Sequence, residues 1–162
     1  MGFFENKIVQ IVIAILITFG AVWILGYGSQ NNMYPWYDGV KKPSWNPPSW
    51  VFGPVWAFLY LAMAYASFRV YDAGDGFSGA ARFPLIVYIV HLIINGTWSQ
   101  VFFNLHMIGA ATIHIIVLLI AAVFNGILFY RVDQIAGILF APYLAWLSFA
   151  TVLSVTIWRL NS

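Results

Sequence analysis

The chain has 162 residues, 62% hydrophobic and 7% charged, with a mean hydropathy of +0.85 and a formal net charge of +2. That composition excludes a water-soluble domain, and seven dispersed cations with no run longer than two exclude nucleic acid as a partner. With no cysteine, disulfides, thiolate metal sites and cysteine nucleophiles are excluded as well.

Five stretches are long enough to cross a hydrocarbon core of about 30 Å, which takes about 20 helical residues. They lie near residues 8–28, 49–70, 83–105, 107–130 and 135–158, and residues 1–162 read as one all-α membrane domain. The first follows a single Lys7 and has no small-residue cleavage site after a short apolar core, so it is expected to be retained and not removed as a signal peptide. Gly2 lacks the following Ser or Thr that myristoylation prefers. An odd number of spans puts the termini on opposite sides. Lys7, Arg69, Arg82 and Arg131 then share one side against Lys41, Lys42 and Arg159, a difference too small to set orientation. Span one offers small residues, Ala14, Thr18, Ala21 and Gly26, which allow close helix approach.

Residues 34–60 hold four of the eight tryptophans and five of the seven prolines. Pro35, Pro43, Pro47 and Pro48 fix φ, withhold backbone donors and restrain the residues before them, which predicts a stiff non-helical lid up to Pro48. Pro47 and Pro48 suit a first helical turn, so span two starts here, with Trp56, Tyr60, Met63 and Ser67 along one face. Lys41 and Lys42 sit between Tyr37 and Trp45, a combination that suits a flat, aromatic, acidic ligand; their plain alternative is anchoring at a lipid surface. The next connection, residues 71–82, is Gly-rich and polar and reads as a surface loop.

Polar groups facing lipid are costly, so polar residues within spans should point into the bundle. In span three His91, Asn95, Trp98 and Phe102 make one stripe, with Ser99 beside it. Span four repeats the spacing with His114, Leu118, Ala121 and Asn125, and span five with Tyr143, Trp146, Ala150 and Ser154 after Pro142. The expectation is a five-helix bundle with an internal pocket beneath the long ordered loop between helices 1 and 2. Trp56, Trp98 and Trp146 then face a ligand or simply pack, while Trp23 and Trp158 suit the membrane interface. His91 and His114 make interhelical hydrogen bonds or, in the sharper alternative, ligate a haem iron or a metal; His106 falls in a tight, solvated turn. No nucleophile and base pair, paired carboxylates, phosphate loop or metal-ligand spacing is present, and no charge sits centrally in a span to couple a pump.

These residues resemble the TspO/MBR family, the tryptophan-rich sensory and translocator proteins, also called peripheral benzodiazepine receptors. The likeness is carried by Trp36-Tyr37, the run from Lys42 through Pro48, Trp50, Gly53 through Trp56, Leu59-Tyr60, Asn95 with Trp98, Phe102-Phe103, Pro142 through Trp146, Phe149 through Thr151, and Trp158-Arg159. The resemblance implies five transmembrane helices, often dimeric, around a pocket below the first loop. In the family that pocket takes porphyrins, including protoporphyrin IX and haem, and isoquinoline or benzodiazepine-type drugs. The matching pocket positions are Tyr37, Trp56, Asn95, Trp98, Ser99, Trp146 and Ala150, to which the reading of the residues adds Tyr60, Lys41 and Lys42. No obligatory cofactor and no metal are expected.

The resemblance also implies an activity. Some bacterial members degrade protoporphyrin IX in light and oxygen, and the two tryptophans tied to that chemistry match Trp56 and Trp146. Three readings follow: a tetrapyrrole sensor or handler, a photo-oxidative enzyme, and a porphyrin or lipid transporter. The sterol-recognition pattern of animal members needs a Tyr where this chain has Val155, so high-affinity cholesterol binding is not expected. Their small-residue dimer motif in span three is replaced by Ile86 and Val90, so any homodimer uses another surface or packing. The chain ends three residues after Arg159, without a basic tail, and a bacterial cell membrane is expected over a mitochondrial outer one.

Overall fold

The computed structural model describes residues 6–162, and of Gln30 the backbone alone; Gly2 lies outside the described residues. Among these residues five helical stretches are long and apolar enough to span a membrane. They are α1 (Lys7–Gly26), α3 (Ser49–Ala73), α4 with the turn that continues it (Arg82–Asn104), α5 (Ile108–Val132), and a fifth made of α6 (Gln134–Leu139) and α7 (Ala141–Asn161). The one-turn helix α2 (Trp36–Gly39) lies in the loop after α1. The protein is an integral membrane five-helix bundle.

Local chemistry sets the ends of these helices. Asn6 caps α1 by accepting from Ile8 N at 2.9 Å. At its other end, Gln100 Nε2 donates to the carbonyls of Leu25 and Tyr27, which the helix itself leaves unpaired. α3 begins at Ser49, two residues later than a first turn holding both prolines would: Pro48 is its cap, with ψ of 143°, so the expectation that Pro47 and Pro48 occupy the first turn is corrected. Pro54 lies inside α3, tolerated because Gly53 before it has no Cβ to meet the proline ring.

Span three ends in a π-turn. Over Gln100–Asn104 the backbone widens, with Leu105 N reaching Gln100 O at 2.9 Å, and the extra residue lets the adjacent Phe102 and Phe103 both meet Tyr37 of the lid. Span five is not the single helix expected over 135–158. Pro142 in the first turn of α7 cannot donate to the preceding turn, and the helix breaks at the fully buried Phe140.

The helices form a closed ring. α1 packs between α3 and α4, α4 against α5, and α5 against both α6 and α7, while α3 closes the ring through α6. Toward the lid, α3 meets α7 through rings, Phe52 with Trp146 and Trp56 with Tyr143, at centroid distances of 5.8 and 6.3 Å. The space between these two helices is where the cavity lies. The core fills the opposite half, around Met63, Tyr88, Leu118, Phe129 and Phe140.

The lid differs from the stiff non-helical segment expected. Ser29–Asn32 forms a 3₁₀ turn and Trp36–Gly39 a helical one, because no proline falls between 36 and 42 and Asp38 favours the N-terminal end of a helix. Asn161 at the end of α7 clasps Lys41, accepting from its N at 3.0 Å and donating to its O at 2.9 Å. Asn32 bonds Asn104, and Trp36 stacks on His106 at 4.2 Å, so His106 is part of the lid contact and not merely solvated.

Candidate functional site: an aromatic cavity beneath the lid

Beneath the lid is a cavity of about 940 Å³, near the upper end of the roughly 300–1,000 Å³ typical of small-molecule pockets. Its walls come from α1, α3, α4, α5, α7 and the lid. Eight of the ten sequence-predicted positions line it: Tyr37, Trp56, Tyr60, Asn95, Trp98, Ser99, Trp146 and Ala150. Lys41 and Lys42 do not line it. The Lys42 ammonium turns back onto its own loop, donating to the carbonyls of Tyr37 and Val40 and lying 4.4 Å from the centre of the Tyr37 ring. Lys41 is exposed and held by its backbone to Asn161. No charged side chain and no histidine faces the cavity among the described residues.

α1 contributes more than its small residues suggest. Phe19, Trp23 and Tyr27, at i, i+4 and i+8, run along one face into the cavity wall, and Trp23 and Tyr27 remain more than half exposed at its rim. That aromatic stripe was visible in the sequence; Trp23 alone read as a membrane-interface residue. The lid adds Met33 and Tyr34, and α3 adds Phe52.

The polar groups on the wall are almost all occupied. Tyr60 Oη donates to Asn95 Oδ1 at 2.9 Å, and Asn95 Nδ2 donates to Tyr143 Oη at 2.8 Å, which in turn lies 2.8 Å from His91 Nε2. Asn95 is therefore held at both ends of its amide. Trp98 Nε1 donates to the Ala111 carbonyl and Ser99 Oγ to that of Gly96. Trp146 Nε1 is buried without a protein partner. A buried indole N–H that finds no acceptor costs free energy. On the lid, burial pushes the Tyr37 phenol above its ordinary pKa, while the Asn46 side chain opposes the shift.

Half of the stripe assigned to span four faces inward, Leu118 and Asn125. The inward residues are Ala111, Ile115, Leu118, Ala122, Asn125 and Phe129, whereas His114 and Ala121 lie at its edge. His114 Nε2 donates to the Ile94 carbonyl at 2.7 Å, an interhelical bond that could as well have been made from the flank. Ile86 and Val90 face outward, on the lipid side of α4.

Known proteins resemble this chain in sequence. The model of the TspO/MBR family matches residues 12–159. The chain is 42% identical over 126 residues to the translocator protein of Homo sapiens, covering 78% of this chain and 75% of that one. It is 36% identical to the tryptophan-rich protein TspO of Chlorobaculum tepidum, over 78% of this chain and 79% of the relative, and 35% identical to protein CrtK of Rhodobacter capsulatus, over 78% of each. The matched span includes the lid, the cavity walls and the Pro142 break, and the chain belongs to the TspO/MBR family.

Proposed function

We propose that the cavity binds a tetrapyrrole, protoporphyrin IX or haem, and that the protein senses or handles that ligand in the membrane. The observation that carries this reading is a large cavity lined by twelve aromatic side chains, with no charged side chain among the described residues. Flat conjugated rings gain about 0.5–1.5 kcal/mol per aromatic contact beyond area burial. Isoquinoline and benzodiazepine-type drugs would use the same walls. With no cation on the wall among the described residues, the propionates are expected at the rim near Asn31, Tyr34 and Ser49, in water and not paired inside. An iron porphyrin would receive no imidazole from the wall, which favours the metal-free ring.

The test is a titration of purified protein with protoporphyrin IX, following tryptophan fluorescence. Saturable quenching is expected, and its absence would sink the reading. A second reading, light- and oxygen-dependent degradation of the bound porphyrin, is favoured by one feature. Trp56 stacks on Tyr60 at 5.4 Å and meets Tyr143 at 6.3 Å, so an electron-rich indole on the wall is backed by two phenols. The macrocycle would absorb the light and carry the oxidising step, and the protein would hold it against Trp56 and Trp146. A bacterial cell membrane is the setting we favour, on Val155, Ile86 and Val90 standing where animal members carry their sterol and dimer motifs.

A further inference from the structure

One buried constellation lies a layer behind the cavity wall. Tyr143 and His91 are both fully buried, and their polar atoms meet at 2.8 Å. Asn95 Nδ2 donates into the Tyr143 oxygen, and we assign the phenolic hydrogen to the bond with His91 Nε2 and the imidazole hydrogen to Nδ1, which is buried without a protein partner. A buried tyrosine donating to a buried base, in edge contact with an indole of the cavity, is the arrangement that one-electron oxidation of a phenol requires.

We propose that Tyr143 is the one-electron donor to an oxidised Trp56 and that His91 takes the phenolic proton. Two tyrosines touch Trp56, and proton chemistry separates them. Losing an electron makes a phenol a far stronger acid, so the electron leaves readily only where a base stands within hydrogen-bond reach. Tyr60 donates to Asn95 Oδ1, an amide oxygen, which is not such a base. Tyr143 donates to an imidazole. The oxidant takes one electron from Trp56, leaving the indole radical cation. Trp56 then regains an electron from Tyr143 as the Tyr143 O–H bond breaks and an N–H bond forms at His91 Nε2. The products are a neutral Trp56, a neutral tyrosyl radical and a His91 imidazolium. Charge and spin have moved one residue away from the cavity, where oxygen adding to the indole would otherwise destroy it.

That the oxidant is an excited tetrapyrrole rests on the light-driven reading above; the Tyr143–His91 couple does not, and its test leaves the porphyrin out. Purified protein in detergent, without porphyrin, is given a short ultraviolet flash that ionises tryptophan, and the tryptophan and tyrosyl radicals are followed by transient absorbance and electron paramagnetic resonance. A tyrosyl signal should grow as part of the tryptophan signal decays, more slowly after equilibration in D₂O, and should be lost in Trp56→Phe and Tyr143→Phe. His91→Gln keeps a hydrogen-bonding partner without an imidazole's basicity and should slow the growth by roughly a hundredfold. Unchanged growth in Tyr143→Phe, loss of the signal in Tyr60→Phe alone, or full speed in His91→Gln would each overturn the assignment. Should a variant fail to fold, the wild type decides: a tryptophan radical that decays with no tyrosyl signal, checked with ring-deuterated tyrosine, overturns it too. Flash-driven transfer in a protein that never bleaches porphyrin would refute the light-driven reading and leave this one standing.

Discussion

Arg69 of α3 holds Asp133 fork to fork, Nε to Oδ1 at 2.9 Å and Nη2 to Oδ2 at 2.7 Å, and the same carboxylate caps α6 by accepting from Ala136 N at 2.7 Å. One side chain thus closes the ring of helices at the end opposite the lid. Asp133→Ala removes both the pair and the cap and should cost about 2–3 kcal/mol, whereas Asp133→Asn keeps a competent cap and should fall between Ala and wild type. Thermal unfolding in detergent orders the three proteins; Asn equal to wild type would show that the ion pair adds nothing.

The same carboxylate sets a pH dependence. The Arg69 hydrogen bonds, aided by that from Ala136 and opposed by burial, hold the Asp133 pKa below its ordinary value. Its contribution should therefore be complete above the unfolded value of about 3.9 and lost as pH falls through the depressed folded one. Acid unfolding of wild type should be steeper there than that of Asp133→Asn, and superimposable acid limbs would count against it.

Gly96 sets the approach of α4 to α1. A Cβ added there would lie 2.7 Å from Leu25 Cβ and 3.2 Å from Val22 Cα, and a backbone atom cannot swing aside. Gly96→Ala should destabilise by about 1–3 kcal/mol and, by pushing out a helix that walls the cavity, weaken ligand binding as well. Gly20→Ala, with open space around its Cβ, should instead be stabilising by about 0.5–1 kcal/mol. Melting curves that place the two in the reverse order would contradict the packing described.

The lid should respond to Lys42 and Asn161 whatever the charge of the ligand. Lys42→Met keeps the aliphatic stem and removes the ammonium that ties the Tyr37 and Val40 carbonyls; Asn161→Ala releases Lys41. Each should speed ligand release by the equivalent of about 1 kcal/mol. Protoporphyrin IX and its dimethyl ester should be affected alike, and Lys41→Ala should change affinity by less than about 0.5 kcal/mol. A loss confined to the free acid would restore the lysines as propionate partners.

Trp56 and Trp146 should separate binding from chemistry. Phe at either position keeps a ring for stacking, so protoporphyrin IX should still bind to both variants. Bleaching of the bound pigment in light and oxygen should slow in both. Equal bleaching in wild type and variants, read by absorbance and product mass, would leave the protein a bystander.

Most of the cavity was legible along the chain because helical spacing is a local property. Trp56 and Tyr60, or His91, Asn95 and Trp98, share a face wherever the helix happens to be placed. On α5 the spacing finds Leu118 and Asn125 on the inner face but not the edge position of His114, because a histidine can satisfy itself on a neighbour's carbonyl from the flank, as it does at Ile94. The aromatic stripe Phe19, Trp23, Tyr27 failed the other way, since rings near a helix end suit lipid and a cavity rim equally.

Composition and periodicity alone determined that this is a five-span membrane bundle with a proline-rich cap and indoles on its inner faces. In lipid a run of about 20 apolar residues can satisfy its polar backbone groups within itself as a helix, so that conclusion needs no long-range contact. Only the tertiary structure decided which polar atoms remain free. Partners such as Tyr143 for His91, 52 residues apart, or Asn161 for Lys41, 120 residues apart, depend on how the helices are ringed. That arrangement occupied Asn95 and left the Trp146 N–H without a protein partner. No spacing within one helix encodes the Asn95 and Tyr143 bonds, because each is made across two helices.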